Sequence, residues 1–138
     1  MAQIIQNKYP LDAQKRKAIG FGFPMDGNAV FIPTYQTRDQ IKANLLNFIL
    51  TNRGERVMRP NFGGDLRTLF FNQIEEVTED QLIELIQAGI SQHFPMVQVK
   101  EIAFDKSTGQ TDRNEINFIL TYQIQTFGIE DEINILLQ

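Results

Sequence analysis

The sequence predicts an α+β fold in which two main helices pack on a small antiparallel sheet, formed largely by the C-terminal half. Two segments with helical apolar spacing precede three segments with alternating apolar residues, and helices followed by strands favour this class. At 138 residues, with 42% hydrophobic and 22% charged residues, the chain has the length and composition of a globular domain. We expect residues 1–19 to form an N-terminal arm and residues 20–138 to form the α+β domain.

The N-terminal region is predicted to contain an arm followed by a small hairpin. Residues 1–19 are polar and show no sustained period, which is typical of a terminus that a partner orders. In residues 20–33, GFGFPMDGNAVFIP, two short extended pieces flank the common turn signal Asp26-Gly27. No apolar segment is long enough for a signal peptide or a bilayer span.

The first helix is predicted over residues 38–52. Thr37 is a natural N-cap, and Gln40 three residues later completes a capping box. We expect Gly54 to end the helix, with Arg53 in the last turn facing the negative end of the dipole. The apolar residues that recur at helical spacing are Ile41, Leu45, Phe48 and Ile49.

The second helix is predicted over residues 79–93. Thr78 and Gln81 repeat the capping-box pattern, and Pro95 ends the helix because proline cannot continue the backbone hydrogen bonds. A short helical turn is expected between the helices, around residues 66–72. The apolar residues that form the stripe of the second helix are Leu82, Ile86 and Ile90, with Ile83 beside them.

The remainder of the chain is predicted to form three strands. Val97 and Val99 alternate, but Ile102 and Phe104 alternate in the opposite phase, which indicates a β-bulge near Lys100-Glu101. A polar loop over residues 105–114 separates this strand from the next. The second strand has the clearest period of two, through Ile116, Phe118, Leu120, Tyr122 and Ile124. After a break at Phe127-Gly128, the last strand carries Ile133, Ile135 and Leu137.

The charges are unevenly distributed along the chain. The net charge of −4 argues against a general nucleic-acid binder. Residues 1–74 hold ten Lys and Arg against five acids, whereas residues 75–138 hold three against twelve. Such a chain can dock head-to-tail or between unlike neighbours, although two solvated faces explain the same distribution.

The segment RGERVMRPNFGGDLRTLFF, residues 53–71, raises the question of an active site. Glu55 and Asp65 could serve as paired carboxylates of a glycosidase, in which one must be protonated. Four nearby arginines favour the ionised form instead, so we expect both acids to pair with arginines. Pro60 and the Gly63-Gly64 pair restrict the backbone, which predicts a loop shaped for protein contact. The contact residues predicted in this loop are Arg56, Arg59, Asn61, Phe62, Asp65 and Arg67.

Other catalytic chemistry has little support in the sequence. The chain has no cysteine, and its single histidine, His93, sits at a predicted helix end without a nucleophile motif elsewhere. The loop from Asp105 to Glu115 departs from a calcium-binding loop at its third and fifth positions. Gly63-Gly64 lacks the lysine of a phosphate-binding loop. We therefore expect no metal, no cofactor and no enzymatic activity.

Several of these motifs together resemble the baseplate wedge family of contractile tails. They are GFGFP (20–24), the Thr37-capped helix, the arginine-rich segment, and TEDQ (78–81) opening a helix that ends before a proline. The family, historically labelled lysozyme-like, occurs in contractile phage tails, type VI secretion baseplates and extracellular contractile injection systems. The resemblance covers about residues 15–138, and the leading KRKAIGFGFP is most similar to versions from large contractile-tailed phages.

The resemblance implies a structural subunit of the baseplate inner ring. Such proteins join wedge subunits around the tube and template the first sheath ring, and they resemble part of the sheath subunit. The implied partners are other wedge subunits, the tail sheath protein, and tube or hub proteins, with no nucleic acid and no membrane. The implied location is the virion tail baseplate, assembled in the host cytoplasm, or the baseplate of a related injection machine.

One contact motif of the family is changed in this chain. Many members carry Glu-Pro-Arg after the second helix, where this sequence has Phe94-Pro95-Met96. The resemblance therefore implies an apolar partner contact there, because Phe and Met suit interface cores. The alternative is that both side chains only cap the core.

Three functional hypotheses remain open from the sequence. In the first, the chain is structural, and Ile133, Ile135 and Leu137 lie on an edge strand open to strand addition. Deleting residues 130–138 should then leave a folded helical part that no longer assembles. The second hypothesis is a peptidoglycan-cleaving glycosidase of the tail, and the third is a free-standing adaptor that binds a partner through the basic arm.

Overall fold

The structure is a computed structural model in which residues 12, 16–23, 25, 31–67, 76–105, 116–126 and 128–137 are described. These residues form two compact units, one within Met1–Phe48 and one within Ile49–Gln138. The elements are β1 (Gly20–Phe21), β2 (Pro33–Thr34), α1 (Thr37–Leu50), α2 (Glu76–His93), β3 (Val97–Asp105), β4 (Ile116–Ile124) and β5 (Ile129–Leu137). The predicted α+β class is confirmed. The predicted division after residue 19 stays a prediction.

The first unit contains a short antiparallel ribbon. Gly20 of β1 lies opposite Thr34 of β2. Two further backbone hydrogen bonds extend the ribbon, from Ile19 N to Thr34 O (2.8 Å) and from Gly22 N to Ile32 O (2.7 Å). The strands of the predicted hairpin are therefore present, whereas its Asp26-Gly27 turn lies outside the described residues.

The start of α1 differs from the predicted capping box. The helix begins at Thr37, whose backbone N and Oγ1 both donate to Asp12 Oδ1, at 2.9 and 2.6 Å. The side chain of Gln40 accepts from Thr34 Oγ1 and donates from Nε2 to Asn44 Oδ1 (2.9 Å) instead of returning to the helix start. The capping box is wrong because a carboxylate from a distant position satisfies the first turn, while β2 engages Gln40. The predicted apolar stripe is confirmed, since Ile41, Leu45, Phe48 and Ile49 are all buried.

The end of α1 is also earlier than predicted. The last helical residue is Leu50, so Arg53 and Gly54 lie beyond the helix, and the last turn holds no basic residue. Gly54 does adopt a positive φ of 86°, but its N–H donates to Pro60 O at 2.9 Å. It closes the loop that follows and does not cap the helix.

In the second unit, α2 runs from Glu76 to His93 and packs against β3. Thr78 lies within the helix, so its prediction as the N-cap is wrong. The helix instead begins at Glu76, three residues earlier than predicted. The helix ends two residues before Pro95, as expected. The predicted stripe is confirmed, since Leu82, Ile86 and Ile90 are buried.

The three predicted strands form an antiparallel sheet with the order β3-β4-β5. β4 carries the central core, because every second side chain from Ile116 to Ile124 is buried. The register of β3 against β4 shifts between Val99 and Glu101, which confirms the predicted bulge. The predicted polar loop lies outside the described residues except for Asp105, as does most of the predicted turn at 66–72.

Neither described helix combines the length and apolarity that crossing a bilayer would need.

Candidate functional site

The arginine loop, residues 51–67, leaves the end of α1 and returns to it. At its base, Asp65 N donates to Thr51 O at 3.3 Å. Gly63 has a φ of 139°, and a Cβ at this position would lie 2.5 Å from Thr51 O. A Cβ on Gly64 would lie 3.0 Å from the Cα of Ile49. The Gly-Gly pair therefore permits a close approach between two backbone segments, and the loop closes on itself as an Ω-loop does.

Successive turns fix the outer part of the arginine loop. Gly54 N donates to Pro60 O (2.9 Å), Arg59 N donates to Arg56 O (3.1 Å) and Phe62 N donates to Arg59 O (3.1 Å). The backbone thus satisfies many of its own hydrogen bonds without a regular helix or strand. The loop is a fixed shape on the surface of the second unit.

Phe62 anchors the arginine loop to the body of the second unit. Its side chain is 7% exposed, and its ring meets the ring of His93 edge-on, with centroids 5.2 Å apart. The guanidinium Cζ of Arg56 lies 4.0 Å from the Phe62 ring centroid, a cation–π contact. The sequence predicts Phe62 as a partner contact, but the fold buries its side chain, and the ring holds Arg56. The partner contact itself stays a prediction.

The two acids of the arginine loop do not pair with its arginines. The carboxylate of exposed Glu55 accepts from Asn52 N (3.1 Å) and from Asn52 Nδ2 (2.8 Å). Asp65 is half-buried and has a φ of 56°. Among the described residues, no ion pair joins either acid to an arginine of the loop. The predicted pairing is wrong, and Glu55 is instead held by Asn52, two residues beyond the end of α1.

The outer face of the arginine loop combines positive charge with apolar side chains. Arg53, Arg59, Asn61 and Arg67 are exposed, and Arg56 is half-buried. Between them, Val57 is 94% exposed and Met58 is 91% exposed. The sequence prediction included neither of these two residues. The sequence feature that could have indicated their exposure is an apolar pair in a short polar segment bounded by Gly54 and Pro60. Consecutive turns in such a segment give these side chains no core to face.

The Phe94-Pro95-Met96 segment forms the tight turn from α2 to β3. Phe94 N donates to Ile90 O (2.7 Å), and Val97 N donates to Phe94 O (2.9 Å). Phe94 is half-buried, Pro95 is exposed, and Met96 is 39% exposed. The exposed Pro95 and Met96 are available to a partner, and the partner contact itself stays a prediction.

The predicted residues of β5 occupy different environments. Ile133 is 2% exposed and belongs to the core, whereas Ile135 is half-buried. Leu137 lies opposite Ile116 at the end of the strand. Along β5 the exposed side chains are those of Ile129, Glu130, Glu132, Asn134 and Leu136. The side chain of Ile133 therefore lies in the core, whereas the exposed side chains and the backbone of β5 are accessible. A partner contact along β5 stays a prediction.

The fold brings two of the three predicted contact segments together. The Phe62 ring contacts His93, which directly precedes the 94–96 turn. Met96 O accepts from Gln125 N at 3.0 Å, so the turn also lies beside the β4–β5 connection. Leu137, level with Ile116, lies at the opposite end of the sheet. The part of the arginine loop around Phe62 therefore lies near the 94–96 turn, whereas Leu137 lies at the other end of the sheet.

Comparison with protein families decides where the chain belongs. Residues 35–127 match the family model described as baseplate wedge protein gp25, which covers more than half of the chain. The chain belongs to this family. The match includes α1, the arginine loop, α2, β3 and β4, and it confirms the resemblance found in the sequence. As a member of the baseplate wedge family, the protein is a structural component of a baseplate.

Solved structures share the fold of this baseplate wedge protein. One is a crystal structure of a Geobacter sulfurreducens protein named as a tail lysozyme, with a TM-score of 0.63 and 17% identity, covering 74% of this chain and 90% of that one. Another is a chain of the anti-feeding prophage baseplate, with a TM-score of 0.61 and 20% identity, covering 76% of this chain and 83% of that one. No curated protein matches the chain. At these identities the likeness concerns the fold alone.

Proposed function

We propose that this baseplate wedge protein is a non-enzymatic subunit of the inner ring, where it joins wedge subunits around the tube and templates the first sheath ring. Its partners are other wedge subunits, the tail sheath protein, and tube or hub proteins. It is assembled in the host cytoplasm into a tail baseplate or the baseplate of a related injection machine. The observation that carries this proposal is the position of β5 in the sheet.

β5 offers a backbone edge for strand addition. Within the described residues it pairs only with β4, over the whole length from Ile129 to Leu137. An unpaired edge presents N–H and C=O groups that a strand of another chain can bind. The outward side chains are mostly acidic or polar, which disfavours aggregation and suits a basic or polar partner strand. A sheath segment that adds to β5 would continue the sheet β3-β4-β5 into the first sheath ring.

Hydrogen exchange tests strand addition directly. In the isolated chain, amides on the free edge of β5 should exchange rapidly, because they face water. In purified baseplates that contain the chain, we expect alternate amides between residues 129 and 137 to exchange at least about tenfold more slowly, because a partner strand binds them.

β4 provides the internal control for this measurement. Its amides pair with β3 and β5 in the free chain, so their exchange should be slow in both samples. Equal exchange of β5 in free and assembled chains would refute strand addition. Absence of the chain from purified baseplates would refute the proposed function as a whole.

The arginine loop is proposed to bind a partner and not to cleave a glycan. Glu55 is exposed and its carboxylate is held by Asn52, an arrangement that fixes the loop. One cavity of about 250 Å³ in the first unit, beside β1, is lined by described residues none of which is acidic. A turbidity assay on peptidoglycan tests this point, and we expect no clearing by the wild-type chain. Clearing that disappears in Glu55→Gln would establish the glycosidase instead.

Residues 1–19 are proposed to act as an arm that binds a baseplate partner. The described Arg16 and Lys17 are exposed and could bind an acidic surface. Sedimentation of the purified chain with and without tail extract separates a ring component from a free-standing adaptor. A ring component should move into a large particle, whereas an adaptor should form a small complex with one partner.

A further inference from the structure

The tip of the arginine loop exposes two adjacent apolar side chains almost completely. Val57 is 94% exposed and Met58 is 91% exposed, whereas the next most exposed large hydrophobic residue in the described chain, Leu136, is 56% exposed. Single surface hydrophobic residues are common, but side chains this exposed make almost no contact with their own chain. Their contribution to the fold is therefore small.

The backbone holds this apolar tip in a defined position. The Gly54–Pro60 hydrogen bond closes the loop on either side of the tip, and the Arg56–Arg59 hydrogen bond forms a turn across it. Pro60 also restricts its own backbone. A tip that is already ordered loses little conformational entropy when a partner covers it, which favours tight binding.

The charges around the tip indicate the chemistry of the partner. Arg53 and Arg59 are exposed, and Arg56 is held over the Phe62 ring. The one acid within the tip, Glu55, is occupied by Asn52. The rim of the tip is therefore positive, and carboxylates are its natural complement because guanidinium groups bind them through two hydrogen bonds.

We propose that Val57 and Met58 insert into an apolar pocket rimmed by carboxylates on a different protein chain of the baseplate. This proposal rests on the proposed structural function for the identity of the assembly, and it adds the anchor residues and the partner chemistry. An apolar centre surrounded by a polar rim is the usual arrangement of a protein–protein interface. A membrane is a poorer partner, because even one myristoyl chain, which buries more hydrocarbon than these two side chains, binds bilayers marginally.

The first experiment compares incorporation into baseplates. The double variant Val57→Ser/Met58→Ser, mixed in equal amounts with the wild-type chain during assembly, should be at least about tenfold depleted in purified baseplates. Met25→Ser is the matched control, because Met25 is also exposed but belongs to the first unit. The control should enter baseplates as the wild type does.

The fold of the double variant can be checked separately. Because both side chains are almost fully exposed, the free variant should unfold at the same urea concentration as the wild type. Equal incorporation of the double variant and the wild type would overturn the proposal while leaving the proposed function intact. An equal loss for Met25→Ser would also overturn it, since the effect would then not be specific to the tip.

Photocrosslinking identifies the surface that covers the tip. Met58 is replaced by p-benzoylphenylalanine in the full chain, and baseplates that contain it are irradiated and analysed by mass spectrometry. We expect crosslinks to one other protein chain, at an apolar segment with neighbouring Asp or Glu residues. Crosslinks to a second copy of this chain would overturn the proposal. Binding of the wild type to phosphatidylserine vesicles that the double variant loses would overturn it in favour of a membrane.

Discussion

At the scale of single residues, Gly63 and Gly64 determine how closely the arginine loop approaches the end of α1. Gly63 combines a φ of 139° with a virtual Cβ that would lie 2.5 Å from a backbone oxygen. Gly54 also has a positive φ, 86°, but a Cβ there would meet nothing within 4 Å. Comparing substitutions at Gly54 and Gly63 therefore separates the free-energy cost of a left-handed backbone from the free-energy cost of a steric clash.

We predict that Gly63→Ala destabilises the protein by about 3 kcal/mol or more, because backbone strain and a clash with Thr51 O add together. Gly54→Ala, the matched control, should cost only about 1–2 kcal/mol, because it adds strain without a clash. Urea unfolding of both variants measures the difference. Equal losses at the two positions would contradict the close approach at Gly63.

The contact residues of the arginine loop show how far sequence reasoning reaches at this scale. The exposed arginines and the Gly-Gly turn could be predicted, because both depend on residue type. The burial of Phe62 could not, because it depends on His93, at the end of a distant helix. The exposure of Val57 and Met58 was not predicted, because apolar residues are normally expected to be covered by another part of the protein.

At the scale of elements, the periodicity of the chain predicted the helices and strands better than their ends. The stripes of α1 and α2, the alternation of β4 and the bulge in β3 follow from local spacing, and the structure confirms them. Helix ends depend on which groups satisfy the terminal backbone atoms. At α1 that group is Asp12, far away in the sequence, and the local capping pattern gives no indication of it.

β5 shows how one strand serves both the core and a proposed interface. We predict that Ile133→Ala destabilises the protein by about 2–5 kcal/mol, because it removes a buried side chain. Leu136→Ala, on the exposed side of the same strand, should change the stability by less than about 0.5 kcal/mol. Urea unfolding checks both values.

The contrast between buried Ile133 and exposed Leu136 also affects how a deletion of residues 130–138 is interpreted. The deletion removes Ile133 from the core as well as the free edge, so lost assembly could reflect lost folding. If Ile133→Ala were as mild as Leu136→Ala, the strand would not contribute to the core as described. In that case, a loss of assembly in the deletion variant would report on the free edge of β5 and not on folding.

At the scale of the whole molecule, the uneven charge of the chain has a consequence for association. Residues 1–74 carry a net charge of +5 and residues 75–138 carry −9. Exposed charges steer encounters between proteins, and salt screens them. The arginine loop lies in the basic part, and the acidic face of β5 lies in the other.

We predict that the chain binds baseplates lacking it at least about tenfold more slowly when NaCl is raised from about 0.05 M to about 0.5 M, because the charges are then screened. The unfolding temperature of the free chain, measured at both salt concentrations, serves as the control and should change little. Sedimentation of labelled chain with the particles follows the binding. Association that is independent of salt would show that the charged surfaces do not guide assembly.

The sequence by itself determined the fold class, the apolar faces of both helices, the alternation and bulge of the sheet, and the family. These features follow from residue type and from spacing over a few positions, which set local conformation and the side that must be buried. The tertiary structure alone decided that Asp12 caps α1, that Glu55 binds Asn52, that Phe62 is buried and that Val57 and Met58 are exposed. Those outcomes depend on where the folded backbone directs each side chain, and the spacing of residues along the sequence does not determine that direction.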